Sequence, residues 1–392
     1  MEDNRFSRLP SPPPSTDPLT SALVGKLNEM NDLRYHISWI YGGYIEDIPK
    51  RVGKNKALDT AAMALVSTHS AYRLKIESKI QTPVETYQKY SHAIKTLREY
   101  LDIPARARES ETLCAVSLLL ICASFLEVKG IRSYHGEGAA QILKARAFYN
   151  AQDDFEQKLL LCLRGPVLME AIVNPRIQFS REEWKTIVEN KLDETNRPEG
   201  MMLRSLAGAP NFMHRGRIAL RERTGLQMLV YDMRNEYRNL TTILNGLRDR
   251  YHHFQMTGTP GVIRTPSKSA ITTEMINCHY QRTYGFGLTI CLIFNCILKA
   301  IDTNSTDLDV DAKHFCKESL KHADEAAKYR PLCASYVQLS LTAAWCCSED
   351  EAERVALEKV FFDYSSDFGW SSEDAIRAVL QETYRSLRLL DP

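Results

Sequence analysis

The sequence predicts an all-α, multi-helical fold, built from antiparallel helix pairs in a solenoid-like style. Three observations predict it. Apolar residues recur at spacings of three and four along most of the chain. Convincing alternating strands are absent. Two runs, 113–126 and 286–298, are apolar on every side, as a helix enclosed by other helices must be.

The elements follow in chain order. "MEDNRFSRLPSPPPSTDPLTS" is rich in Pro and Ser and has no apolar core of the secretory type, so residues 1–18 are expected to be a disordered tail. Residues 19–390 are expected to form the helical domain. A first helix is predicted near 20–30. "ALDTAAMALVSTHSAYR" (57–73) reads as a packing helix whose alanines let a neighbour approach closely. Its His69 lies on the apolar face with Leu58, Ala62 and Leu65. No second ligand stands one turn away, so a core histidine with one hydrogen bond is expected.

Val84, Tyr87, Tyr90, Ile94, Leu97 and Leu101 define one face of a helix, with Thr82 as its expected N-cap and Pro83 in its first turn. The apolar run from Leu113 follows acidic Glu109 and Glu111, which favour a helix start. Further helices are predicted at 134–147, 152–172, 180–194, 223–253, 284–300, 309–328, 333–347, 350–363 and 372–388. Gly, Pro and Thr mark loops at 195–211 and 256–268, the second being the expected subdomain hinge.

The bulk numbers exclude some roles. Lys and Arg number 50 against 49 Asp and Glu, a net charge of +1, so no global attraction to nucleic acid or to anionic membrane is expected. The two apolar runs are short and interrupted, and suit core helices better than membrane spans. The ten cysteines begin at Cys114 and include no CxxC pair. Neither zinc nor disulfides are therefore expected.

Four motifs invite a site and are outweighed by plainer readings. Asp307, Asp309, Asp311 and Glu318 fall at positions 1, 3, 5 and 12 of a calcium-binding loop, but Ala312 stands where the turn needs glycine. Acidic capping of a helix by Asp309 or Asp311 is the expectation. "GEGAAQ" (136–141) lacks the third glycine and the strand of a phosphate loop, and reads as a helix start. The adjacent histidines of "YHHF" (251–254) diverge on a helix and cannot chelate together. "IPKRVGKNK" (48–56) offers Lys50, Arg51, Lys54 and Lys56 as weak candidates for touching DNA, and a solvated turn before a helix is the plainer reading. No catalytic constellation, cofactor motif or metal set emerges, so an enzyme is not expected.

"GGYIEDIPKRVGKNKALDTAAMALVSTHSAYR" resembles the opening of the regulatory domain of fungal binuclear zinc-cluster transcription factors, with its "GxxLPxRLGxxxALDxAxxALxxAH" pattern. Gly43, Ile48, Pro49, Arg51, Val52, Gly53, Ala57, Leu58, Asp59, Ala62, Ala64, Leu65 and His69 stand at the matching positions. The resemblance continues through "YQKYSHAIKTLREYLDIPARARESETLCAVSLLLICASFLEV", "HGEGAAQILKARA" and "YRPLCASYVQLSLTAAWCCSEDEAERVALEKVF", over roughly residues 38 to 365. It implies a helical fungal-specific transcription factor domain, a nuclear location, and pathway-specific regulation of transcription, such as that of a secondary-metabolism gene cluster. It also implies that His69 is structural.

One departure shapes the expectation. Family members carry six cysteines around two zinc ions that place a short helix in the major groove. This chain has no cysteine before Cys114. Either it acts on DNA indirectly or weakly, through a homodimer or a heterodimer with a zinc-cluster factor, or an upstream exon supplies the cluster. Two alternatives stand beside this reading: a metabolite-binding helical sensor, and an enzyme whose site is unrecognised.

Overall fold

The computed structural model describes residues 18–28, 32–126, 134–146, 153–189, 197–258, 272–303, 305–369 and 372–390. Residues 1–17 of the expected tail and 259–268 of the expected hinge lie outside these. Among the described residues there is no strand, and the fold is all-α and multi-helical. The chain divides into two compact units, Met1–Val167 with Arg264–Ile271, and Leu168–Ile263 with Thr272–Pro392.

The first unit contains α1 (Pro18–Asn28), α2 (Ile37–Tyr41), α3 (Lys56–Ser78), α4 (Val84–Leu101), α5 (Pro104–Ala107), α6 (Ser110–Phe125), α7 (Tyr134–Arg146) and α8 (Asp154–Val173) as far as Val167. Asn55 starts α3 by accepting the Leu58 amide at 3.0 Å. Alanine at 57, 61, 62 and 64 is wholly buried, which lets α3 lie close to α4 and α6. α6 has no solvent stripe, and Leu113, Leu118 and Leu119 are enclosed. Its one central hydroxyl, on Ser117, is satisfied by the Tyr44 hydroxyl at 2.7 Å. The expected cap at Thr82 is corrected: Pro83 takes the cap position without a side-chain bond, because its ring already sets the extended backbone there.

The second unit continues with α9 (Arg181–Glu189), α10 (Pro198–Glu222), α11 (Leu226–Thr257), α12 (Thr273–Ile301), α13 (Thr306–Ala326), α14 (Val337–Cys347), α15 (Glu351–Ser366) and α16 (Glu373–Leu387). α12 is its centre and packs on α10, α11, α13, α14 and α16. It is long and apolar enough to cross a membrane by length and composition, yet 83% of its most apolar stretch is buried inside the protein. Asn295 within it is fully enclosed. Its amide donates to the Tyr237 hydroxyl and the Leu308 carbonyl, each at 3.0 Å, and its oxygen accepts from Cys347 at 3.0 Å.

The loop expected at 195–211 is corrected to helix from Pro198 onward. Pro198 sits at the first helical position, where no amide donor is needed. Gly216 of α10 serves close packing rather than chain reversal: a Cβ there would stand 2.5 Å from Leu389. None of the ten cysteines is joined in a disulfide, and only Cys162 is partly exposed.

Candidate functional site

A groove of about 1660 Å³ lies within the second unit. That exceeds the few hundred to about 1,000 Å³ common for small-ligand pockets, so the groove leaves room for a ligand and its water. The C-terminal end of α8 and the turn after it form one wall with Ile172, Pro175, Ile177 and Phe179. α9 adds Trp184 and Lys185, α10 runs along the floor from Arg204 to Arg221, α11 contributes Asp232 and Glu236, and α16 contributes Glu382, Arg385 and Ser386.

Local sequence fixes the aromatic wall. "SREE" (180–183) is a reciprocal capping box: Ser180 Oγ accepts the Glu183 amide at 3.1 Å, and Glu183 accepts the Ser180 amide at 2.7 Å. This sets the start of α9 and seats Trp184 against Phe179, with ring centroids 4.1 Å apart.

The charged groups divide into two sets. At the α11 side the acids are already engaged: Asp232 pairs with Arg215 at 3.0 Å, and Glu236 accepts the Ser205 hydroxyl. Towards α16, Arg217 donates to the Ser386 carbonyl at 3.2 Å, and the Ser386 hydroxyl donates to the Ile172 carbonyl at 3.0 Å. Arg221, one turn beyond Arg217, and Arg385, beside Ser386, are exposed and pair with no carboxylate among the described residues. The groove thus has an aromatic wall and, with Glu382 beside them on α16, the exposed cations Arg221 and Arg385. Such a combination suits an apolar molecule bearing a carboxylate or phosphate.

The basic stretch lies in the first unit and makes a different arrangement. Lys50, Lys54 and Lys56 are exposed. Arg51 instead turns inward to Glu111 at 2.6 Å and to Asp153, with its guanidinium 4.0 Å above the Phe155 ring. The hollow of about 260 Å³ beside Lys50, Arg51 and Lys54 also holds Asp47, Asp153 and Asp154. Three carboxylates among three cations leave little net attraction for phosphate.

The calcium-loop residues lie along α13 and are each taken by a protein partner. Asp307 binds Arg234 at 2.7 Å, Asp309 binds Lys299 at 2.6 Å, Asp311 accepts from Tyr237 at 3.0 Å, and Glu318 accepts from Tyr284 at 2.8 Å. Ser305, not Asp309 or Asp311, holds the cap position, which corrects that expectation. The helix begins at Thr306, so Asp309 sits inside the first turn and Asp311 beyond it. No group of three or more metal-ligating side chains occurs among the described residues. "GEGAAQ" begins in the first turn of α7, which starts at Tyr134.

The most perturbed imidazole was not foreseen from sequence. His322 lies in the core among Tyr251, Tyr284 and Tyr336, with Nε2 3.1 Å from the Tyr336 hydroxyl. Burial alone pushes it down to about 3. A Cβ on Gly285 would stand 2.5 Å from that ring, so the cluster is closely packed and holds no space for a ligand.

Compared with protein-family models, curated proteins and solved structures, the chain matches none.

Proposed function

We propose that this chain is the helical regulatory part of a transcriptional regulator. It reaches promoters through a protein partner in the nucleus and answers to a small effector. The single observation that carries the effector is the groove of the second unit, with its Phe179–Trp184 wall and its exposed Arg221 and Arg385. The ordered run of motifs from Gly43 to His69 and onward supports the transcriptional part. Control of one metabolic gene cluster fits a regulator whose signal is a pathway intermediate.

The test joins genetics to the groove. Deleting the gene is expected to change transcripts of a limited gene set. Replacing it with Arg221→Glu, Arg385→Glu, folded as the wild type by circular dichroism, is expected to reproduce that change. Transcripts unaltered by deletion in every growth condition overturn the transcriptional role. In gel shifts at physiological salt the isolated chain is expected to prefer no promoter fragment, since a net charge of +1 releases few counterions. A specific nanomolar complex with the isolated chain overturns the partner.

A second reading, a metabolite sensor with no role in transcription, rests on the same groove. Ligand-dependent thermal stabilisation combined with unaltered transcripts would favour it.

A further inference from the structure

Two thiols of the second unit stand unusually close. Cys278 Sγ, in the second turn of α12, is 2.7 Å from Cys333 Sγ, in the turn between α13 and α14. Both side chains are buried, each 2% exposed. The residues are 55 apart in sequence, so the fold and not local chain geometry brings them together. A second sulfur pair, Cys296 with Cys347, also shares a side-chain hydrogen bond and is wholly buried.

The surroundings hold this approach in place. Asn277, next to Cys278, donates to the Tyr329 hydroxyl at 3.0 Å. Arg330 binds Asp367 at 2.7 Å and also Asp363, both at the end of α15. At the other end of the turn, Tyr336 meets His322 of α13. Cys333 is therefore carried on a segment tied at both ends, and Cys278 on a long helix. Closing the sulfurs to a bonded length of about 2.05 Å takes a movement of about 0.7 Å.

We infer that Cys278 and Cys333 are a thiol-oxidation site, closed to an intramolecular disulfide by hydrogen peroxide. The atoms balance as follows. The Cys278 sulfur attacks one peroxide oxygen, the O–O bond breaks, and the first water leaves with the thiol proton. The resulting sulfenic acid is attacked by the Cys333 sulfur. The S–S bond forms, the S–O bond breaks, and the second water carries away the Cys333 proton. Each sulfur loses one electron, and the two peroxide oxygens gain them. The neighbouring Cys278 sulfur and burial hold the Cys333 proton on well above the usual thiol range, and the same balance holds with the two sulfurs exchanged. The bond pins the 330–336 turn, which joins α13 to α14, to α12.

The experiment uses the purified full chain, reduced and then freed of reductant. It is treated with hydrogen peroxide in the folded state, then unfolded and alkylated, and its intact mass is measured. The wild type is expected to lose two of its ten alkylation sites, with a peptide joining Cys278 to Cys333, and to melt at a higher temperature than before oxidation. Cys278→Ser and Cys333→Ser are each expected to keep all remaining sites and to show no rise in melting temperature. Retention of all ten sites in the wild type overturns the inference. So does oxygen addition without a cross-link, or a cross-link that joins other cysteines. If a serine variant fails to fold, the cross-linked peptide of the wild type still decides the matter.

Discussion

The Nε2 of His69 lies 2.9 Å from the backbone oxygen of Tyr35, and both residues are buried. The imidazole donates, so the proton is on Nε2. This bond fastens the middle of α3 to the short 3-10 turn at Leu33–Tyr35. His69→Ala is expected to cost about 2–4 kcal/mol, through the lost ring volume and the Tyr35 carbonyl left without this donor. His69→Gln, which keeps a donor, is expected to recover part of that. Urea unfolding of the three proteins measures it, and equal midpoints would contradict the structural role.

Calcium is expected to leave the melting temperature unchanged. Every carboxylate that imitates a calcium loop already has a protein partner, and Lys299 and Arg234 would have to be displaced from Asp309 and Asp307. Thermal scans with millimolar calcium and with chelator check this. A calcium-dependent rise would show that α13 unwinds at its start.

His322 makes stability depend on pH. Its folded imidazole stays neutral down to about 3, because burial disfavours the charged form. In the unfolded chain an imidazole takes a proton near about 6.5. Between those values the unfolded state binds more protons, so stability falls as pH drops through the window, by up to about 1.4 kcal/mol per pH unit. His322→Gln is expected to remove that slope. Comparing unfolding free energies of wild type and variant from pH 7 to pH 4 tests it, since the other titrating groups are shared.

Glycine substitutions in two helices are expected to have opposite signs. Gly246 of α11 has open space where a Cβ would go, so Gly246→Ala stabilises by up to about 1 kcal/mol through helix propensity. At Gly285 of α12 the new methyl would meet His322 at 2.5 Å and Tyr336 at 2.6 Å. Gly285→Ala is therefore expected to destabilise by about 1–3 kcal/mol. Denaturant midpoints of the two variants give the signs directly.

The helices were legible in the sequence wherever the apolar period is unbroken. α6 and α12 stand out by composition alone, and Leu119 and Ile293 are indeed enclosed. α10 was missed because its Gly and Pro residues read as turn signals. Pro210 sits inside the helix, and Gly216 makes room for Leu389, whose position in sequence gives no hint of the contact. The groove was illegible for a related reason. Trp184, Arg221 and Arg385 come from α9, α10 and α16, and no local spacing links them. Arg51 was counted among exposed cations because its acids, Glu111 and Asp153, lie 60 and 102 residues away. A charge run shows how many cations there are, but not which of them the fold has already used.

The stretch 286–298 of α12, apolar on every side, has a consequence for synthesis on the ribosome. A stretch with no polar face cannot wait in water for its neighbours. α10 and α11 precede it and can shelter one side as it emerges. The remaining side is sheltered by α13, α14 and α16, whose residues are made later. For the time needed to add Thr306–Leu387, at about 5–20 residues per second, the nascent chain exposes an oily surface for several seconds. That interval is when a chaperone is needed, and slowing translation between Ile301 and Val337 is expected to lower the soluble yield more than slowing it elsewhere.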